Sequence, residues 1–351
     1  MSAVEKPAES TDHAAVAVAK WRMIRKVLPF AALSIGVAFT IWLVVAANVT
    51  SIVQSFAQIG WGIAAIVAVR ATMITVNGLA WWQVLARLVN VQCCVFPLLR
   101  WIREAVDVLL PVASIGGSLV GARLLTYWQV SNATALAGVF ADVFLQTVAQ
   151  AMFAFVGALL LARVVGLNTL LPQLLLALAG AILVLGGFYL VQRYALARWI
   201  DRAMSALTVR TAGRTQKGKV GLQSAMDKMW RGRRFYLATA LLIHAAAWTI
   251  GTLEVWLTLH FMQWPISLEH AIVMESLGAS ISSAAFFVPG SWGVQEGGYV
   301  LIGQLLGAPA HLALSVSLVK RVPDLILGVP GLVAWQIVEA RRFPTTGQHT
   351  A

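Results

Sequence analysis

Several stretches of this chain run for about twenty residues with almost no polar side chain, long enough to cross a bilayer as helices rising 1.5 Å per residue. They fall at 28–47, 60–86, 132–161, 170–191, 236–262 and 312–337. A backbone in hydrocarbon must satisfy its own N–H and C=O groups, so these runs predict helices. Of 351 residues, 59% are hydrophobic and 11% charged. No polar segment remains that is large enough for a soluble catalytic domain. The fold class expected is therefore an all-α polytopic integral membrane protein.

Two more apolar segments, 102–127 and 271–307, are interrupted. The first carries Pro111, Gly116 and Gly117; the second carries Pro289, Gly290, Gly293, Gly297 and Gly298. Proline lacks an N–H and clashes with the preceding turn, while glycine tolerates a chain reversal. Each segment is expected to be two half-helices meeting at a turn. The N-termini of the returning halves would offer free N–H groups and partial positive charge to a polar or anionic headgroup. Broken helices at membrane depth belong where they are buried in protein or line a wet cavity.

Net charge is +12 and the sequence pI is near 10.4. The excess flanks the apolar runs, which points to the positive-inside pattern and to anionic lipid, with no nucleic acid expected. Lys20, Arg22, Arg25 and Lys26 precede the first run; Arg87, Arg100 and Arg103 follow the second; Arg341 and Arg342 follow the last. Residues 193–234 hold many Lys and Arg against Asp201 and Asp227, whereas the loops near 48–59, 162–169 and 263–270 hold only Arg163. These positions agree if neither interrupted segment crosses. The expected architecture is about six crossing helices plus two opposed re-entrant hairpins, with both termini cytoplasmic; eight crossings is the rival. The units are a disordered tail (1–19), a first membrane half (20–192), a basic cytoplasmic loop (193–234), a second half (235–340) and a tail (341–351). Within the loop, 196–209 fits either a surface-lying helix on anionic inner-leaflet lipids or a flexible segment, which Gly213, Gly218 and Gly221 favour.

The interrupted segments share a pattern. Each is followed by a polar break and a long helix, and Asp142 lies as far beyond Pro111 as Lys320 lies beyond Pro289. Their opposite orientations suggest an inverted repeat with broken helices meeting at mid-membrane, a recurring transporter design.

Charges inside apolar runs cost several kcal/mol unless paired or hydrated, about 2.5–3.5 each on insertion scales. Cavity candidates on this ground are Arg70, Arg123, Asp142, Glu296, Lys320, Arg321 and Asp324. Glu296 lacks a local cation, and Arg123 or Arg321 would be its partner. Lys320 and Arg321 can pair locally with Asp324, at i,i+4 and i,i+3. Glu254 and Glu275 rank lower, being placed nearer an interface. Cys93 and Cys94 are adjacent, read as apolar filler, and form neither disulfide nor zinc site. No metal spacing, nucleophile–base arrangement or dinucleotide fingerprint is present, so no cofactor and no enzyme activity are expected. His270 and His311 are placed at helix starts.

The segment Val288-Pro289-Gly290-Ser291-Trp292-Gly293-Val294-Gln295-Glu296-Gly297-Gly298, with Ser317-Leu318-Val319-Lys320-Arg321-Val322-Pro323-Asp324, resembles the signature of flippase-like proteins. That superfamily includes the transmembrane part of lysylphosphatidylglycerol synthases. Trp101–Pro111, Gly116–Leu125 and Val76–Trp82 are most similar to the hopanoid-biosynthesis-associated HpnL family. The resemblance implies lipid transport in a bacterial inner membrane, with hopanoids or related polar lipids as cargo and lipid-biosynthesis enzymes as possible partners. Ser291-Trp292 departs from the superfamily, where small residues are commoner, and a Trp there would narrow a cavity. Lysyl transfer belongs to an appended domain and is not carried over. The alternatives are a non-transporting lipid-binding accessory or scaffold subunit and, below it, a headgroup enzyme using Glu296 and Asp142.

Overall fold

A computed structural model describes residues 38, 40–46, 49–110, 116–166, 180, 183, 186, 187, 190, 215–285 and 288–341. The expectations for 1–19, for most of 28–47 and 170–191, for 193–214, for 342–351 and for Pro111 lie outside the described residues. Within them the chain is helical, with no strand. The order is α1 (Thr40–Ala46), α2 (Val49–Ile59), α3 (Gly62–Leu85), α4 (Val95–Leu109), α5 (Gly116–Leu125), α6 (Asn132–Val165), α7 (Thr215–Trp230), α8 (Arg234–Phe261), α9 (Leu268–Ala284), α10 (Val294–Leu305), α11 (Ala310–Val319) and α12 (Arg321–Ala340). Among these, α3, α6 and α8 are long and apolar enough to span a membrane singly.

Three expectations change. Residues 48–59, read as a loop, form α2, whose buried Ile52, Ser55 and Ile59 lie on one face. That amphipathic spacing is hidden inside a short segment between spans. The second part of the basic loop is α7. Its Leu222, Ala225, Met226 and Met229 are buried in the cluster that includes the start of α6, so packing overrides the cost of Gly218 and Gly221 inside a helix. Finally, the run 312–337 is broken at Lys320. Pro323 has no N–H to give the Val319 carbonyl, which ends α11 there.

The packing follows one scheme twice. In the first half α3 packs on α4, α4 on α5, α5 on α6 and α3 on α6. In the second half α8, α9, α10 and the broken pair α11–α12 repeat those contacts in the same order. Across the halves α3 meets α8, while α4 packs on α12 as α9 packs on α6. The core divides accordingly. One apolar cluster joins Val91, Phe96, Leu124, Leu125, Val130 and Met229; the other joins Ile59, Leu161, Leu259, Ala271, Ile302 and Leu312. Polar side chains fill the layer between the clusters.

Candidate functional site

Close helix approaches build this middle layer. A Cβ on Gly78 would stand 2.5 Å from Pro97 Cα, so glycine there lets α3 lie directly on α4. Gly117 faces the Arg103 carbonyl closely enough that any side chain would collide with it. Its N–H donates to Asp107 Oδ1 at 2.8 Å. In the second hairpin the chain reverses at Gly290 (φ 66°) and Gly293 (φ 80°), in the left-handed region that glycine enters without strain.

Two ionic clusters face each other across the layer. In the first, Asp142 is fully buried. It accepts from Arg103 Nη1 at 2.8 Å and lies 3.6 Å from Arg100 Nη1. His244 Nε2 is 3.2 Å from its other oxygen, and His244 Nδ1 is 2.7 Å from Asn77 Oδ1. Arg100 also donates to Gln146 at 3.0 Å and to Glu104 at 3.2 Å. The Arg103 guanidinium stands 4.8 Å over the Trp81 ring.

The second cluster centres on Lys320, which donates to Glu254 at 2.7 Å and to Glu275 at 2.8 Å. Arg70 meets Glu254 twice, Nε at 2.8 Å and Nη2 at 3.0 Å. The Tyr299 hydroxyl donates to Glu275 at 3.0 Å. Asp142 and Lys320 hold corresponding places after the two hairpins, so the clusters mirror each other with opposite sign. An acid is held by bases on α4, and a base is held by acids on α8 and α9. Each charge is made tolerable by its partners, since losing one partner of a buried pair costs about 3–5 kcal/mol.

Between the clusters lies a cavity of about 240 Å³. Its wall includes Arg70, Asn77, Arg100, Glu104, Gln146, Trp248, Glu275, Ser282, Ser283, Gln295, Tyr299, Lys320 and Asp324. Gln295 is held from both sides, accepting from Ser282 Oγ at 3.2 Å and donating to Ser317 Oγ at 3.2 Å.

A family model described as the lysylphosphatidylglycerol synthase TM region matches residues 30–331. The chain belongs to this family. No curated protein and no solved structure matches it. As a member of the lysylphosphatidylglycerol synthase transmembrane-region family it is a membrane protein related to lipid handling, and the matched region contains both hairpins and both clusters.

Of the residues singled out from sequence, Arg70, Lys320 and Asp324 line the cavity, and Asp142 sits behind it through Arg100. Glu296 does not line it. Its Oε2 accepts the Gly293 N–H at 2.7 Å and its Oε1 accepts from Arg321 Nε at 2.8 Å. Arg321 in turn donates to the Gly290 carbonyl at 2.9 Å and stacks 4.0 Å over Trp292. Trp292 thus clamps Arg321, and Glu296–Arg321 latches the hairpin turn to the first turn of α12. Arg123 is not Glu296's partner. Its side chain is 59% exposed and pairs with Glu339 at 3.0 Å.

One N–H at the start of each returning half-helix is taken up by a carboxylate, Gly117 by Asp107 and Gly293 by Glu296. Gly116 and Gly117 begin α5, and Gly297 and Gly298 lie inside α10. Gly117 and Gly298 serve close packing, against Arg103 and Ile281, where reversal was expected. Lys320 turns away from Asp324 toward Glu254 and Glu275, both fully or nearly fully buried, which moves these two acids from the interface to the centre. Cys93 and Cys94 are exposed where apolar filler was expected. His270 and His311 do stand at the starts of α9 and α11. Sequence reasoning passed over Arg100, Arg103 and His244. Their signal was present, as i,i+3 arginines on a helix entering the first hairpin and a histidine mid-span.

Proposed function

We propose that this chain moves a polar-headed lipid between the leaflets of a bacterial inner membrane, with the headgroup in the central cavity and the apolar body left in the bilayer. The observation that carries this reading is the cavity itself, lined by amides, hydroxyls and paired charges in the middle of an apolar helical bundle. At about 240 Å³ it is smaller than the roughly 300–1,000 Å³ of sites that enclose a drug-sized ligand. It fits a headgroup and excludes a whole lipid. Its cations are engaged by carboxylates, while Asn77, Gln146, Gln295, Ser282 and Ser283 offer neutral hydrogen-bonding groups. That lining suits a hydroxyl-rich headgroup, and with the resemblance to the HpnL family it favours hopanoids or related polar lipids. No chemical step is assigned to the protein.

In this reading the hairpins are re-entrant and form an inverted repeat, with six crossings and both termini cytoplasmic. The pairing of Arg123 with Glu339 supports it, because it joins the exit of the first hairpin to the end of the last helix. In an eight-crossing chain those residues would lie on opposite faces. The basic segment around α7 would then rest against anionic inner-leaflet lipid, near any lipid-biosynthesis enzyme that docks there.

A lipid-binding accessory subunit is the second reading, favoured by the complete pairing of Lys320 within the protein. Mass spectrometry of co-purified lipid, with translocation of that lipid in vesicles, separates the two. Bound lipid that moves between leaflets supports transport, bound lipid that stays supports the accessory role, and absence of bound lipid removes both.

A further inference from the structure

The second ionic cluster contains more acids than bases. Glu254 is saturated by Arg70 and Lys320, and Glu275 is held by Lys320 and Tyr299. Asp324 is left over. Among the described residues its one ion-pair contact is Arg70 Nη2 at 3.9 Å, a nitrogen already donating to Glu254 at 3.0 Å. Arg321, three residues before it, is committed to Glu296 and Gly290. Three carboxylates thus share two cations, and the group becomes neutral by accepting one positive charge.

The charged groups around Asp324 come from every neighbouring element. They are Arg70 on α3, Glu104 on α4, Glu254 on α8, and Lys320 and Arg321 at its own helix start. Two nearby carboxylates oppose its charge, and its helix otherwise presents Leu325 and Ile326 outward.

The size of the surrounding space decides what can supply that charge. Asp324 is 21% exposed and borders two spaces, the central cavity and a second one between α4 and α12 lined by Trp101, Glu104, Pro323 and Leu327. The second measures about 10 Å³, room for about one water molecule. A headgroup amine does not fit the second space, and in the central cavity it would face the cations of Arg70 and Lys320. A metal cation would need several oxygen ligands and would face the Arg70 guanidinium. A proton delivered through water needs neither space nor ligands.

We infer that Asp324 is an exchangeable proton site that couples proton movement to the transport cycle; the inference rests on the lipid-transport reading above. In the step, one carboxylate oxygen binds a proton from water on one side, giving a neutral carboxylic acid. The same O–H bond breaks to return the proton to water on the other side. Protonation removes the Asp324–Arg70 attraction. The α12 start can then shift against α3 without dragging an unpaired carboxylate through apolar surroundings.

The test uses the full chain in vesicles containing the lipid that co-purifies with it. For one proton per lipid, a pH step of one unit should change the lipid distribution by up to about tenfold, equivalent to about 1.4 kcal/mol. In Asp324→Asn the final lipid distribution should no longer depend on the pH gradient, whatever its rate. Infrared titration of the wild-type protein should show a protonated carboxyl band that Asp324→Asn lacks. Lipid movement that ignores the pH gradient, or follows a sodium gradient instead, overturns the coupling and leaves the transport reading standing. If no lipid moves, the transport reading fails and the infrared band alone decides the proton site. Absence of the band, or its persistence in Asp324→Asn, overturns the site.

Discussion

Lys320 Nζ lies 2.7 Å from Glu254 Oε2, joining the break between α11 and α12 to the central helix α8. The contact depends on the break. Pro323 interrupts the helix one turn beyond Lys320, and the ammonium reaches across α8 and α9 to two acids.

Lys320→Met leaves Glu254 and Glu275 buried with one cation fewer. Unfolding in detergent should show a loss of about 3–5 kcal/mol. Adding Glu275→Gln removes one uncompensated charge and should recover part of it. A double variant no better than Lys320→Met would deny the coupling of these residues.

Glu296→Gln keeps an oxygen for the Gly293 N–H but gives up the charge facing Arg321. Because the pair is a latch outside the cavity wall, stability should fall by about 1–3 kcal/mol. The amount of co-purified lipid per folded protein should not change. A selective loss of bound lipid with unchanged melting would return Glu296 to the binding site.

Arg123→Ala should leave melting and lipid content unchanged, because the pair with Glu339 is exposed and solvent-screened. Thermal unfolding and lipid mass spectrometry check this against the opposite expectation drawn from its place in an apolar run.

In a chain whose Cys93 and Cys94 are changed to Ser, single cysteines replacing Gln92 and Gln129 should react with an impermeant reagent from one side of the membrane. Replacements of Gln263 and Gly307 should react from the other side. Labelling of the Gln92 and Gln129 positions from opposite sides would favour eight crossings.

Much of this bundle was legible in the sequence. The apolar runs gave α3, α6 and α8 to within about a turn at each end, because a long helix in hydrocarbon leaves little freedom in its pattern. The breaks at proline and glycine separate α4 from α5 and α9 from α10, each a packed pair of helices. Partner choice was less legible. Lys320 has Asp324 four residues away yet bonds to Glu254 and Glu275, which α8 and α9 bring against the break. Glu254 and Glu275 read as interfacial because nothing local shows that α8 is the central helix. The roles of Gly117 and Gly298 were hidden for the same reason, as close packing depends on which helix lies opposite.

The central claim is that the cavity carries the lipid headgroup. Ala279 lies on its wall, on α9, and carries no charge. Translocation of the co-purified lipid in vesicles, compared between the wild-type protein and a folded Ala279→Phe variant, tests the claim most directly. The account predicts transport by the wild-type protein and its loss in the filled cavity, with helicity and melting retained. Equal rates in the two proteins would contradict it.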